Sequence, residues 1–243
     1  MNAAATGTVV VIGTGPGLGM SIAHRFGREG RPVALVSRDA TRHQGYVRSL
    51  ADAGVKAEAF AADVRGDRLP AVLEEIAERL GAVEVLYYGA FGADPASAPT
   101  PILDAGSDRV RSAMDWLYPA VDTVRAVLPG MIERGTGGLL FAGGLSSVVP
   151  MPALGELALV SAALRNYALT LNAALTDRGV YAGTLTIGGL VERGDIHAMV
   201  KASPDKYGNV DGHTLDPDDI AATAWNMYTA RDRAEAVFNA LAP

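Results

Sequence analysis

Val9–Ile12 is a run of β-branched residues that breaks into Gly13-Thr14-Gly15-Pro16-Gly17-Leu18-Gly19, and an apolar helical segment from Met20 to Glu29 follows. A strand that ends in glycines and continues as a helix brings bare backbone up to an anion. The glycines remove the side chains that would block it, and the unpaired N–H groups at the helix start complement its charge. A turn of this kind belongs to a strand–helix–strand unit, so the beginning of the chain already points to a parallel α/β sheet.

The remaining apolar runs agree. Val33–Val36, Ala57–Ala61, Val83–Tyr88, Gly138–Ala142 and Tyr181–Ile187 read as strands. Between them lie helical stretches with apolar positions at Leu69, Val72, Leu73, Ile76 and Leu80, a long helix over about Asp108–Arg134 and another over Leu154–Asp177. Strands that are apolar throughout are covered on both faces, which predicts a doubly wound parallel sheet with helices on each side. No internal repeat or linker divides the 243 residues, so one domain is expected across 1–243.

Composition narrows the class of function. A net charge of −6 argues against a nucleic-acid partner, which needs a basic face. The chain has no cysteine, which excludes a disulfide framework, a thiolate nucleophile and a cysteine-bound metal, and no metal site is expected. No apolar run reaches the ~18 residues of a membrane span, and Met1-Asn2-Ala3-Ala4-Ala5 carries no charged leader. A cytoplasmic protein without a membrane partner is the expectation.

The spacing of the turn is informative. G-x-G-x-x-G does not fit, because it would need glycine at Leu18 or Met20, and no Lys-Ser/Thr follows to make a P-loop. Gly13, Gly17 and Gly19 give G-x-x-x-G-x-G. With that pattern after the first strand, the chain resembles the short-chain dehydrogenase/reductase family, and further stations match in order. They are Asp63-Val64 after the third strand, Gly188-Gly189-Leu190-Val191 after the sixth, and Asp216-Pro217-Asp218-Asp219-Ile220-Ala221 at the last helix.

The resemblance implies a Rossmann-type fold and a nicotinamide cofactor held by Gly13, Gly15, Gly17, Leu18, Gly19, Ser37, Arg38, Asp63, Val64, Gly89, Gly189 and Val191. Asp63 reads equally well as a helix cap. At the end of the second strand, Ser37 stands where an NAD binder places a carboxylate, and Arg38 follows it. A guanidinium there pairs with a 2′-phosphate, so NADP(H) is favoured over NAD(H).

The family's proton relay is a different matter. Its Asn, Ser, Tyr and Lys fall at Trp116, Gly144, Leu157 and Ser161, and its Asn-Asn-Ala-Gly station reads Tyr87-Tyr88-Gly89-Ala90. The lysines are Lys56, Lys201 and Lys206, and none lies four residues after a tyrosine, so no shift of register restores the motif. Hydride transfer without an acid would leave an alkoxide in an apolar pocket, at high cost.

Replacement candidates are Ser146 (with Ser147 beside it), Asp115 and Tyr118 on either side of Trp116, Tyr88 at the end of its strand, and His197, four residues before Lys201 in an expected lid at 192–215. Trp116 is expected either to fill the space of the missing polar groups and stack on substrate or cofactor, or to be plain core. Glu156 precedes the tyrosine position but is turned about 100° from it along a helix.

Three functions stay open. One is an atypical NADP(H)-dependent oxidoreductase of a small molecule. The second is a non-redox cyclisation, isomerisation or dehydration on the same scaffold. The third is a non-catalytic cofactor-binding partner. The two long helices resemble those the family packs into dimers and tetramers, and Ala158, Ala162 and Ala163 would let helices approach closely, so a homodimer or homotetramer is expected.

Overall fold

A computed structural model of the chain describes residues 6–90, 99–203, 205 and 212–241. Seven strands form one sheet in the order β3-β2-β1-β4-β5-β6-β9, with every neighbouring pair parallel. They are β1 (Thr8–Ile12), β2 (Val33–Ser37), β3 (Ala57–Ala61), β4 (Val83–Tyr88), β5 (Gly137–Gly144), β6 (Val180–Gly188) and β9 (Glu235–Asn239). All five residues of β1 are buried. Each valine there contributes about 1.5–3 kcal/mol by leaving water, which is why this strand sits at the centre.

The covering helices form two layers. On one face α3 (Leu69–Leu80), α4 (Ser107–Met114), α5 (Tyr118–Arg134) and α6 (Gly155–Leu175) pack over Val10, Ile12, Leu86 and Phe141. On the other, α1 (Leu18–Gly27), α2 (His43–Asp52) and a C-terminal helix α8 (Pro217–Ala230) cover Val9, Val11, Leu35 and Leu185. The strand order reverses between β1 and β4. Crossovers from the two strands therefore leave in opposite directions, and a crevice opens at their carboxyl ends.

Two expectations are corrected. The single helix over Asp108–Arg134 is two helices, because Pro119 lies in the first turn of α5. Proline has no N–H to donate back to the carbonyl of Asp115, and its ring crowds that carbonyl. Trp116 and Leu117 instead donate three residues back, to Ala113 (3.1 Å) and Met114 (2.8 Å), and the chain turns there. The seventh strand, β9, was not foreseen. It pairs with β6 from Thr184↔Glu235 to Gly188↔Asn239, and Glu235 accepts from Arg165 and Thr186.

Of the expected lid at 192–215, residues 204 and 206–211 lie outside the described residues. The rest includes α7 (Asp195–Lys201), with β7 (Leu190–Val191) just before it in the chain, and β8 (Thr214–Leu215), which pairs with β7. Among the described residues no helix is long and apolar enough to cross a membrane.

Candidate active site

The glycine turn is built by close approach. Gly13 has φ +88°, and a side chain there would run into the backbone of Gly89 and Ala90 at the end of β4. A Cβ at Gly19 would lie 2.9 Å from Thr14 Cα, and one at Gly17 3.0 Å from the carbonyl oxygen of Glu192. Gly15 differs: nothing lies within 4 Å of its missing Cβ, so its backbone is open to the cleft. The turn is fixed by the N–H groups of Gly13 and Thr14, both donating to the Val36 carbonyl (3.0 and 3.1 Å). No side chain caps α1, and its first turn has no acidic residue. The positive end of that helix is left for an anion from outside.

A cleft of about 710 Å³ runs from this turn in both directions along the sheet edge. Gly13, Gly15, Gly17, Leu18, Gly19, Ser37, Arg38, Val64, Gly89, Gly189 and Val191 all line it. Asp63 does not: its Oδ1 accepts from the Arg65 N–H (3.0 Å) in a local turn and it faces a neighbouring groove, and it does not cap the following helix, whose start at Arg68 carries no side-chain cap.

The outer end of the cleft carries two arginines and two aspartates. Arg38 is exposed at the end of β2, and Arg42 lies near it at the start of α2. The Arg42 guanidinium donates to both carboxylate oxygens of Asp195 (2.8 and 2.7 Å), which joins the β2 loop to α7 across the cleft and pushes the Arg42 pKa up. Asp39, the one acid of that loop, has its carboxylate turned to the Thr41 N–H, a bond that lowers its pKa. Ser37 Oγ shares a hydrogen bond with His43 Nε2 (2.8 Å).

At the inner end, Trp116, Gly144, Leu157 and Ser161 all line the one cleft. The break between α4 and α5 sets Trp116 at its wall, with the Arg65 guanidinium 4.5 Å over the ring. Leu154, Ile187, Leu190 and Ile196 complete an apolar lining, and Ser146 is present as expected. Among the described residues, no histidine lines this end.

The other replacement candidates are not brought here. Asp115 and Tyr118 line the neighbouring groove of about 630 Å³ with Asp63 and Asp122. Tyr118 is 54% exposed. His197 is on α7, but Asp195 and Ile196 are the residues of that helix that line the cleft. Glu156 is buried and turned away, accepting from the Thr100 N–H at 3.1 and 3.2 Å.

Tyr88 is a correction: it is buried in the α3–α6 layer, its hydroxyl donates to the Trp116 carbonyl (3.2 Å), and burial drives its pKa upward. Strand residues alternate in direction, so its neighbour Tyr87 lines the cleft, buried and likewise shifted upward by loss of solvent. Sequence reasoning missed Arg42, Asp195 and Tyr87. Arg42 had a local signal, four residues after Arg38, whereas its partner lies 153 residues away. Among the described residues no group of three or more His, Asp or Glu is placed to hold a metal.

Comparison with known proteins adds the following. The sequence profile of the short chain dehydrogenase family matches residues 7–193. A putative ketoacyl reductase of Streptomyces coelicolor is 32% identical over 130 residues, covering 53% of this chain and 49% of that protein. A very-long-chain 3-oxoacyl-CoA reductase of Neurospora crassa is 27% identical, covering 70% of this chain and 52% of its own length. The chain thus spans about half the length of these two relatives. A 3beta-hydroxysteroid dehydrogenase of Eggerthella lenta is 28% identical over 95% of this chain and 88% of its own. Among solved structures, L-sorbose reductase from Gluconobacter frateurii, complexed with NADPH and L-sorbose, superposes with a TM-score of 0.81 at 22% identity, covering 99% and 98% of the two chains.

Proposed function

The chain belongs to the short-chain dehydrogenase family, and we propose that it binds NADP(H) in this cleft and acts as an atypical oxidoreductase on a small organic molecule. The observation that carries this reading is an uncapped glycine turn opening onto a cleft with two arginines at its outer end. The residues fit the cofactor part by part. The Gly15 backbone and the start of α1 suit a pyrophosphate, Arg38 and Arg42 a 2′-phosphate, and Ala62 and Val64 the flat adenine. Gly89, Gly189 and Val191 would flank the nicotinamide. When bound, the cofactor supplies hydride chemistry.

The chain's own part at the inner end is to exclude water and hold the substrate against apolar walls. Of the candidate catalytic residues Ser146 alone lines the cleft, so it is the one retained. A homodimer or homotetramer formed through α5 and α6 belongs to the same reading, with Leu159 and Ala162 exposed on α6.

The test is NADPH consumption against a panel of apolar ketones and aldehydes, with NADPH binding measured separately. Oxidation of NADPH with turnover is expected. A second reading, a non-redox reaction in the same cleft, is favoured by the apolar lining that the described residues give the inner end. Substrate loss with no change in nicotinamide absorbance would select it.

A further inference from the structure

Trp116 is the bulkiest side chain among the described residues that line the inner end of the cleft. Strand β5 ends there in Ala142, Gly143 and Gly144, which fill little space, so the free width depends on where the indole ring lies. The backbone at Trp116 is fixed. Its N–H donates to the Ala113 carbonyl (3.1 Å), and its own carbonyl accepts from the Tyr88 hydroxyl (3.2 Å). Those bonds do not fix the side chain. A half-buried indole beside an open cleft has more than one staggered rotamer open to it unless a further contact selects one.

That contact comes from outside the cleft. The Arg65 guanidinium lies 4.5 Å over the ring, yet Arg65 lines the neighbouring groove and not the cleft, whereas Val64 lines both. The ring is therefore a partition, with the guanidinium on one side and the cleft on the other. Arg65 is placed in turn by the loop after β3. Asp63 Oδ1 accepts from its N–H (3.0 Å) and stands 3.9 Å from its Nε, and the Gly66 N–H donates to the Asp63 carbonyl (3.0 Å). A planar guanidinium can lie flat on an aromatic face, and a compact, strongly hydrated ammonium cannot. We infer that Trp116 sets the width of the substrate space and that Arg65, which never touches the guest, is the positioning residue that fixes its ring. The guest admitted is a narrow one, a single ring or a straight chain, and a fused ring system is turned away. The part that concerns the guest rests on the proposed function, whereas the hold of Arg65 on the ring does not.

The test has two arms. In the first, the full chain is labelled with 5-fluorotryptophan, and the fluorine-19 resonances of Trp116 and Trp225 are assigned through Trp116→Phe. Arg65→Met should move the Trp116 resonance, and Arg65→Lys should return it only part of the way. The Trp225 resonance, from the opposite layer, should stay in place in both. In the second arm, acetophenone and the wider 2-acetylnaphthalene are titrated into the NADPH-saturated chain. The wild type should favour acetophenone by about tenfold, the scale of one overpacked contact. Trp116→Ala should reverse that order. Arg65→Met should narrow it about fivefold, the worth of a cation–π contact at a partly exposed site, with NADPH affinity and melting temperature as in the wild type. An unmoved Trp116 resonance in Arg65→Met, or a Trp225 resonance that moves as far, overturns the positioning role. A ketone preference unchanged in Trp116→Ala, or neither ketone binding the NADPH complex, overturns the width-setting role. Failure to bind NADPH at all overturns the function beneath it, and is read by its own titration before either ketone is added.

Discussion

The two ends of the cleft are built on different principles. At the outer end the proposed binding falls to the backbone. Gly13, Gly17 and Gly19 are each held by close approach, the start of α1 is left uncapped, and Arg38 and Arg42 supply charge. Little there depends on a particular side chain apart from the arginines. At the inner end everything depends on side chains, and among the described residues those are leucine, isoleucine, valine, tryptophan, the buried Tyr87 and two serines. On the proposed function, the scaffold keeps its grip on a dinucleotide while the chemistry beside it differs, because the first is fixed by folding and the second is not.

The strongest way to break this contrast is to restore the inner end. Gly144→Ser, Leu157→Tyr and Ser161→Lys combined should raise ketone reduction by about 10²–10⁴-fold, the usual worth of a positioned acid, with NADPH affinity unchanged. Steady-state rates on one ketone decide it, and a wild type already as fast as the triple variant would remove the contrast.

Next in size is Gly13→Ala. It forces an L side chain to φ +88° and drives it into the backbone after β4. A loss of about 2–4 kcal/mol is expected, read as a lower melting temperature together with weaker NADPH binding.

Arg38→Ala should cost about 1.5–3 kcal/mol of NADPH binding, the worth of hydrogen bonds to a charged group, and leave NADH unaffected. Equal losses for both nucleotides would show that Arg38 does not read the 2′-phosphate.

The inner end should also show no ionisation of its own. Tyr87 is shifted upward by burial and no histidine, aspartate or glutamate stands beside it among the described residues that line the inner end, so kcat should be flat from about pH 6 to pH 9. A bell-shaped profile would reveal an acid–base pair elsewhere.

The smallest effect is expected from Asp195→Asn. It frees Arg42 from an exposed ion pair worth about 0.2–1 kcal/mol and should tighten NADPH up to a few-fold.

The difference between the ends also explains what the sequence could reveal. The glycine turn, the β2 terminus and Gly189 are local features, each read within a few residues, and every cofactor residue expected from them except Asp63 lines the cleft. The central strands were equally plain, since burial on both faces leaves continuous apolar runs. Strand β9 gave no such signal. It is a short edge strand reading Glu-Ala-Val-Phe-Asn, with no residue fully buried, and it follows Arg231-Asp232-Arg233.

At the inner end the misplacements trace to geometry between elements. Treating 108–134 as one helix set Asp115 and Tyr118 on either side of Trp116. The turn enforced by Pro119 sends both toward α3 and leaves Trp116 alone at the cleft. Tyr88 was assigned to the cleft and Tyr87 was not, a matter of strand phase that a fully apolar strand does not disclose.

The most direct measurement is energy transfer from tryptophan to reduced nicotinamide. The chain has two tryptophans, and of these Trp116 lines the inner end of the cleft, while Trp225 packs against Phe26 and Tyr228 on the opposite layer. Titrating NADPH should give saturable transfer that Trp116→Phe largely removes, with NADH binding at least tenfold more weakly. No transfer with either nucleotide, or equal affinity for the two, would contradict the account.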